Sequence, residues 1–373
     1  MSPRPSIFAR LKSENGTLIS YYARPGSFTT GGVSSTNADW MKVFSDYGIP
    51  NLISAYMQNG LNPLGDIGSK VPIRHFLNHR VFSIPIEFQF LKKKSSLVYL
   101  HEGWTLSNFV VAAYCFIHNI PYALMPHGVY EPQIVKTLKW LKLRIFLEKF
   151  VIKNAYFVHL YFEGEAKYVS EICKSAKIAI APTGIDVTSQ LNKSWVGDGD
   201  YFLYAGRIDL NFKGLDLLVT CWKLAGRSEK LLLAGPDYNG GVIELQNLLR
   251  KLGLEEEVVL LGNLNSTELY RLMKHARGFL HISRWESYGR SPIDAILMGV
   301  PTLISTQMQI GRVVQISNMA YVTSLSVEDV IEGINYIGEL TPQQHNTRYI
   351  SNYQEFSKFL NWERIMNSLD NQS

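Results

Sequence analysis

Cysteine is scarce in this chain: Cys115, Cys173 and Cys221 are the only three in 373 residues. They lie far apart, which excludes a disulfide scaffold and a cysteine-rich metal cluster and suits a reducing cytosol. No apolar run approaches the roughly 18 residues that a membrane-crossing helix needs, and the longest is Phe109–Ile117. The opening residues, MSPRPSIFARLKSENG, lack the apolar core of a secretion signal. Charge of one sign is not in large excess either: 37 Lys and Arg against 32 Asp and Glu leave a net +5. That is too mild for a nucleic-acid footprint. Metal-binding acid pairs are wanting, since Asp198-Gly199-Asp200 reads as a turn. What is present is length and apolar content, 46% of 373 residues, which exceeds one ordinary core and points to two domains.

The most informative stretch is GFLHISRWESYGRSPIDAILMGVPTLIST, residues 278–306. Gly278 to Ile282 suits a buried strand, a polar turn with Glu286 and Gly289 follows, and IDAILM suits a helix stopped by Gly299 and Pro301. VPTLIS then reads as the next strand, so the stretch is one unit of a parallel α/β sheet. The helix start would turn free N–H groups toward the loop, where a phosphate is favoured. Glu286 and Asp294, with seven residues between them, bracket this turn. They suit two readings: acceptors for sugar hydroxyls, or a solvated acid and a helix-terminus charge.

In the first half, residues 1–16 read as a loose basic tail, and Leu18 to Ala23 as a first strand. The loop RPGSFTTGG, with Gly31 and Gly32, follows; it is either a plain turn or a phosphate-side loop. A helix capped by Ser35 or Asn37 is expected from there to about Tyr47. Residues 51–90 alternate without a clear period: LISAYM suits a strand, NGLNPLGDIGSKVP turns, and VFSIPIEFQF an edge strand. Order returns with a strand Leu97–Leu100 ending at His101, a helix Leu106–Phe116, and a strand Pro121–Met125 ending at Pro126-His127-Gly128. Both histidines thus fall just past strand C-termini, where open α/β sheets bind ligands. Residues 136–153 carry six Lys or Arg and one Glu among large apolar groups. They predict a helix that either packs normally with a basic solvated face or lies on an anionic membrane surface.

In the second half, Tyr201–Ala205 reads as a strand left by Gly206-Arg207, and Lys213-Gly214 precedes a helix over Leu215–Leu224. The two cations are either surface charges or partners for a diphosphate. EVVLLGNLNSTELYRLMKHA gives strand, loop and helix, with Ser266 as expected N-cap. Ser326 is expected to cap a helix over SVEDVIEGINYIG, and the last 25 or so residues read as helical.

These motifs together resemble the retaining glycosyltransferases of family 4, of the bacterial polysaccharide-assembly type. Glu286 and Asp294 match the E-X7-E motif, with Asp in place of the usual second Glu. HEGW and PHGVYEP resemble the family's H-G-x-W…P-H-G-x-x-E-P, PTGID its P-N-G-(I/V)-D, and GRIDLNFKG its G-R-(L/I)-x-x-x-K-G. The resemblance implies an α/β chain of GT-B fold, two doubly wound Rossmann-like domains facing a central cleft. It implies an acceptor-side domain over 1–187, a linker over 188–200, a donor domain over 201–350, and a terminal helix over 351–373 crossing back. It also implies retaining, metal-independent transfer of a hexose from a nucleotide sugar, UDP-glucose by preference, with no cofactor. The acceptor would be a saccharide or lipid-linked saccharide in polysaccharide assembly.

The implied donor-side residues are Gly31, Gly32, Arg207, Lys213, Gly262, Asn263, Leu264, Glu286, Gly289, Arg290, Ser291 and Asp294. Arg207 and Lys213 would take the diphosphate, the Arg290 and Ser291 N–H groups with the Ser291 hydroxyl the phosphate, and Asp294 the ribose. His127 would hydrogen-bond the sugar; His101 and Glu131 would stand on the acceptor side. His127, Glu286, Arg207 and Lys213 are the expected catalytic group. Expected partners are the nucleotide sugar, its acceptor and an anionic membrane surface at residues 136–153, with no nucleic acid. A cytoplasmic chain, peripheral at most on the inner membrane face, follows. Two alternatives stand beside this: a nucleotide-sugar epimerase of the same fold, and a non-catalytic saccharide-binding protein.

Overall fold

The computed structural model describes residues 5–23, 32–58, 67–77, 82–93, 95–185 and 195–373. Gly31 and most of the expected linker, residues 188–194, lie outside the described residues. The chain divides into two compact units, Met1–Gly184 with Asn361–Ser373, and Ile185–Leu360.

The first unit is built on seven parallel strands: β1 (Thr17–Tyr22), β2 (Asn51–Met57), β3 (Ser69–Ile73), β6 (Ser96–His101), β7 (Tyr122–Met125), β8 (Phe157–Leu160) and β9 (Ile178–Ile180). Their order is β3-β2-β1-β6-β7-β8-β9, so the winding reverses between β1 and β6. β4 (His75–Phe76) and β5 (Ile84–Pro85) form a separate antiparallel pair. Every residue of β1, β6, β7 and β8 is buried, as expected where both sheet faces are covered. The helices are α1 (Ile7–Ser13), α2 (Gly32–Asp46), α3 (Leu106–Ile117), α4 (Pro132–Val135), α5 (Leu141–Asn154) and α6 (Ala166–Ile172). Tyr21, Leu100, Val111, Tyr122 and Val151 sit in its core.

The second unit has six parallel strands: β10 (Tyr201–Ala205), β11 (Lys230–Ala234), β12 (Val258–Gly262), β13 (Gly278–His281), β14 (Thr302–Ser305) and β15 (Tyr321–Thr323). Their order, β12-β11-β10-β13-β14-β15, is that of a dinucleotide-binding sheet and reverses between β10 and β13. Around it lie α7 (Leu210–Lys213), α8 (Leu215–Ala225), α9 (Gly241–Leu252), α10 (Ser266–His275), α11 (Arg290–Leu297), α12 (Gly311–Ile316), α13 (Val327–Glu339) and α14 (Pro342–Phe359). Phe202, Trp222, Leu231, Leu280 and Ile334 form its core. Burying Trp222 to 1% exposure removes enough apolar area to contribute roughly 2–3 kcal/mol.

Several local expectations are corrected. The supposed tail folds as α1, because Ser6 caps it at Ala9 N–H (3.0 Å) and Ile7, Phe8 and Leu11 are buried. α2 starts at Gly32, so Ser35 and Asn37 lie inside it; Asn37 is buried and accepts from the Ser20 hydroxyl at 2.9 Å. The uncertain stretch after β2 contains β3, which pairs through Ser69↔Ile53 to Ile73↔Met57. Residues 136–153 are not one helix: Trp140, at φ 60°, is left-handed and separates α4 from α5. Asn265, not Ser266, caps α10, in a reciprocal pair with Glu268. Ser326 does cap α13, at Asp329 N–H (3.1 Å).

At the C-terminus the helical stretch breaks at Leu360. α14 stays in the second unit, where His345 Nε2 bonds Gly299 O at 2.7 Å and the Tyr349 hydroxyl donates to Leu297 O at 2.5 Å. Asn361 then caps the last helix, α15 (Trp362–Gln372), at Arg364 N–H (3.0 Å). α15 belongs to the first unit: Gln372 exchanges bonds of 2.8 and 3.1 Å with the Ile180 backbone.

Candidate active site

The second unit concentrates its chemistry at the strand C-termini on either side of the β10/β13 reversal. Asp209 Oδ1 caps α7 at Phe212 N–H (3.0 Å), and α7 ends at Lys213. Gly214 then takes φ +66°, and a Cβ there would stand 2.5 Å from Ile282 O. Only glycine lets this turn lie against the end of β13. From the other side, Arg284 N–H and Trp285 N–H donate to Phe212 O at 2.9 and 3.2 Å. Arg284 also holds Asp216 in a bidentate pair at 2.7 and 2.9 Å. The turn after α7 and the loop after β13 are thus fastened together, and Lys213 meets Glu286 across that seam.

Lys213 Nζ and Glu286 Oε2 form a close ion pair, with Lys213 only 7% exposed. His281 Nε2 lies 3.5 Å from the same carboxylate oxygen. Burial alone would raise the Glu286 pKa; the Lys213 ammonium and then His281 overcome it and hold the carboxyl well below the usual range. His281 is fully buried, stacked on Tyr204 with ring centroids 5.2 Å apart, and burial keeps it neutral. The Tyr204 hydroxyl donates to Arg207 O at 3.0 Å, and the Arg207 guanidinium lies 4.1 Å over the Tyr238 ring.

Gly289, at φ +82°, leads into α11. The Ser291 hydroxyl, expected at a phosphate, donates to Ala205 O at 2.6 Å. Asp294, expected at a ribose, accepts from Arg290 Nε at 3.0 Å and from the Tyr270 hydroxyl at 3.2 Å. Gly262 closes β12 and its carbonyl takes Gly235 N–H at 2.7 Å. Gly235 stands so close to β10 that a Cβ would lie 1.8 Å from Gly206 O. Asn263 follows exposed, and Leu264 half-buried, at that edge.

In the first unit the two histidines meet: His101 Nδ1 and His127 Nε2 are 3.0 Å apart. Ser20 Oγ is 3.2 Å from His101 Nε2, and the Tyr161 hydroxyl contacts His127 Nδ1. With the Asn37 oxygen toward Ser20, this chain has one solution. Ser20 donates to Asn37, His101 Nε2–H to Ser20, His127 Nε2–H to His101, and Tyr161 to His127. Burial, then the nearby His159, pushes His101 down to about 3, so it is neutral. Both His127 ring nitrogens are therefore engaged by protein groups. Glu131 is 3% exposed at the start of α4, near Glu165, which accepts Tyr161 and Phe162 N–H at 3.0 and 3.1 Å. Gly32 is the exposed first residue of α2.

Sequence reasoning missed His281, Arg284 and Tyr161. His281 and Arg284 flank the motif already singled out. Tyr161 stands just past β8 in the same topological position as His101 and His127, which was the available signal. Among the described residues no group of three or more His, Cys, Asp and Glu is placed to hold a metal ion, and no helix is long and apolar enough to cross a membrane.

Fold and site define a two-unit Rossmann-like α/β protein of GT-B type. Residues 189–355 match the family model for glycosyl transferases group 1. A GDP-mannose:cellobiosyl-diphosphopolyprenol alpha-mannosyltransferase of Xanthomonas oryzae pv. oryzae is 21% identical over 208 residues, 55% of this chain and 54% of that protein. The mannosylfructose-phosphate synthase of Agrobacterium fabrum is 28% identical over 130 residues, 32% of this chain and 28% of that protein. The chain therefore spans about half or less of these curated relatives. Sucrose-phosphate synthase from Thermosynechococcus elongatus superposes with TM-score 0.76 at 17% identity, over 96% of this chain and 98% of that one. Anabaena HepE in complex with UDP-glucose superposes with TM-score 0.75 at 17% identity, over 95% and 98%. The homology runs to glycosyltransferases. It corrects the expected family: the matching model is group 1 and the curated relatives include mannosyltransferases, so the assignment to family 4 does not stand.

Proposed function

We propose that this chain transfers a hexose from a nucleotide sugar to a saccharide or lipid-linked saccharide acceptor, with retention of configuration and without a metal. The observation that carries this is the largely buried Lys213–Glu286 ion pair at the β10/β13 reversal. A cation suited to a diphosphate stands beside a carboxylate suited to sugar hydroxyls, which supports this reading. The departing nucleoside diphosphate gathers negative charge, and Arg207, Lys213 and the N-terminus of α11 offset it. A permanently ionised Glu286 cannot protonate a leaving group, which weighs against a hydrolase using it as acid.

Asp294, paired with Arg290, is assigned to the ribose, and the Arg290 and Ser291 N–H groups to the phosphate. The Gly262-Asn263-Leu264 edge is assigned to the base. In the first unit, His127 is assigned to the sugar, and His101 and Glu131 to the acceptor. Gly31 and Gly32 keep their assignment beside the donor. The exposed cations of residues 136–153 are assigned to an anionic membrane surface, which suits a lipid-linked acceptor such as the one named for the Xanthomonas relative.

UDP-glucose and GDP-mannose are the donors to test, the first from the motifs and the second from the curated relatives. Calorimetric titration of the whole chain with UDP, GDP and these conjugates should give micromolar binding to one base. Arg207→Ala and Lys213→Ala should each weaken it at least tenfold, the loss of one charge-assisted contact. Absence of binding to either nucleotide overturns the proposal.

A further inference from the structure

The donor-side cation is already occupied. Lys213 is 7% exposed and its ammonium rests on the Glu286 carboxylate. The Glu286 backbone is held by its bridge to Met308 and by Gln309 N–H on its carbonyl at 3.4 Å, and its carboxylate is held by Lys213 with His281 Nε2 3.5 Å away. Any diphosphate reaching Lys213 therefore arrives beside a fixed negative charge, with the ammonium shared between the two.

We infer that Glu286 is a specificity-determining residue that selects the nucleotide sugar over the free nucleoside diphosphate. This rests on the donor site proposed above. A free nucleoside diphosphate carries one more negative charge than its sugar conjugate and offers no hydroxyl to the carboxylate. It takes the ammonium and leaves the largely buried Glu286 carboxylate with only the neutral His281 beside it. The sugar conjugate brings hydroxyl donors that replace the interaction Glu286 gives up, so only the conjugate satisfies both groups. The same carboxylate then repels the product once the sugar has left, which favours its release.

The test compares the whole chain with Glu286→Gln by calorimetry, using UDP, GDP, UDP-glucose and GDP-mannose. Removing the competing charge should tighten the free diphosphate of the preferred base on the order of tenfold, and leave its sugar conjugate unchanged or weaker. Glu286→Asp retains the charge but shortens its reach, and should shift the same ratio less, which covers a Gln variant that does not fold. Free diphosphate bound equally or more weakly by Glu286→Gln, with binding intact in the unaltered chain, overturns this inference alone. No nucleotide binding in the unaltered chain removes the donor-site reading and this inference with it.

Discussion

Glu148 and Glu165 show how far a residue's chemistry departs from its composition. Glu148 is the one acid in the basic stretch of residues 136–153. The structure buries it, with its carboxylate accepting Trp104 N–H at 2.9 Å and the Tyr130 hydroxyl. Burial pushes it up to about 7, and pushes Glu165 up to about 8, against an ordinary 4.5. A carboxyl with a raised folded pKa binds its proton more tightly in the folded chain, so it stabilises while neutral and loses that as pH climbs through the folded value. His101, His159 and His345 act oppositely, as do His75 and His281: burial lowers the first three from 6.5 to about 3, 4 and 4, so their effect grows as pH rises through 6.5 and is complete roughly one unit above it. Glu286, held far down, is flat across this range. Stability should therefore fall between pH 7.5 and 9 by about 1 kcal/mol, mostly through Glu165. Scanning calorimetry at pH 7.5 and 9 checks it. Glu165→Gln, whose amide oxygen still accepts both N–H groups, should remove most of the difference; an unchanged pH slope would exclude Glu165 as its source. None of this was legible in the sequence, because burial of an acid depends on partners far along the chain. Lys213 and Glu286 were legible as candidates, whereas their pairing was not, since it joins residues 73 apart.

At the scale of elements, the strands were the legible part. β6, β7, β10, β13 and β14 lie between two helical layers and read as short continuous apolar runs. Segments that do not alternate cleanly were lost: β3 has four of five residues at least partly exposed, and α1 is a two-turn piece whose Phe8 packs on Phe44 at 5.5 Å. α5 is intermediate. Its existence followed from the sequence, its start did not, because a left-handed Trp140 is a tertiary choice. Its outer side exposes Trp140 72%, Leu143 51% and Phe146 71% among Lys136, Lys139, Lys142, Lys149 and Lys153. Phe116, 55% exposed at the end of α3, joins it edge-to-face through Phe150 at 5.7 Å. The single acid of the stretch faces inward, and among its exposed residues only Thr137 is neither apolar nor positive. That composition suits contact with anionic lipid, which a sedimentation assay tests. The chain should sediment with vesicles containing phosphatidylglycerol and not with neutral phosphatidylcholine. Trp140→Ala with Phe146→Ala should reduce the bound fraction at least fivefold, at roughly 1–2 kcal/mol per ring. Equal sedimentation with both lipids, or none with either, would rule the surface out.

At the scale of the molecule, the two sheets repeat one plan. Each reverses its winding once, between β1 and β6 or between β10 and β13, and each gathers its polar groups at the strand ends there. The repeat explains why motifs in both halves were visible and why they fell after strands. The second unit is continuous, Ile185–Leu360, whereas the first needs α15 from the far end of the chain. Lys213, Glu286, Arg207, Ser291 and Asp294 all belong to the continuous unit, and their bonds described above lie within it. A fragment of residues 185–360 should therefore fold on its own and bind the preferred nucleoside diphosphate. Its affinity should lie within about tenfold of the whole chain's, because no donor-side charge is removed. Truncation at Leu360 leaves His345 and Tyr349 of α14 on their carbonyl partners; truncation at residue 350 would cut α14 and should destabilise the fragment. Far-UV circular dichroism and calorimetry on both fragments decide it. Binding by the longer fragment locates the donor chemistry in this unit. A folded 185–360 that binds neither UDP nor GDP, while the whole chain does, would place an essential donor contact outside it.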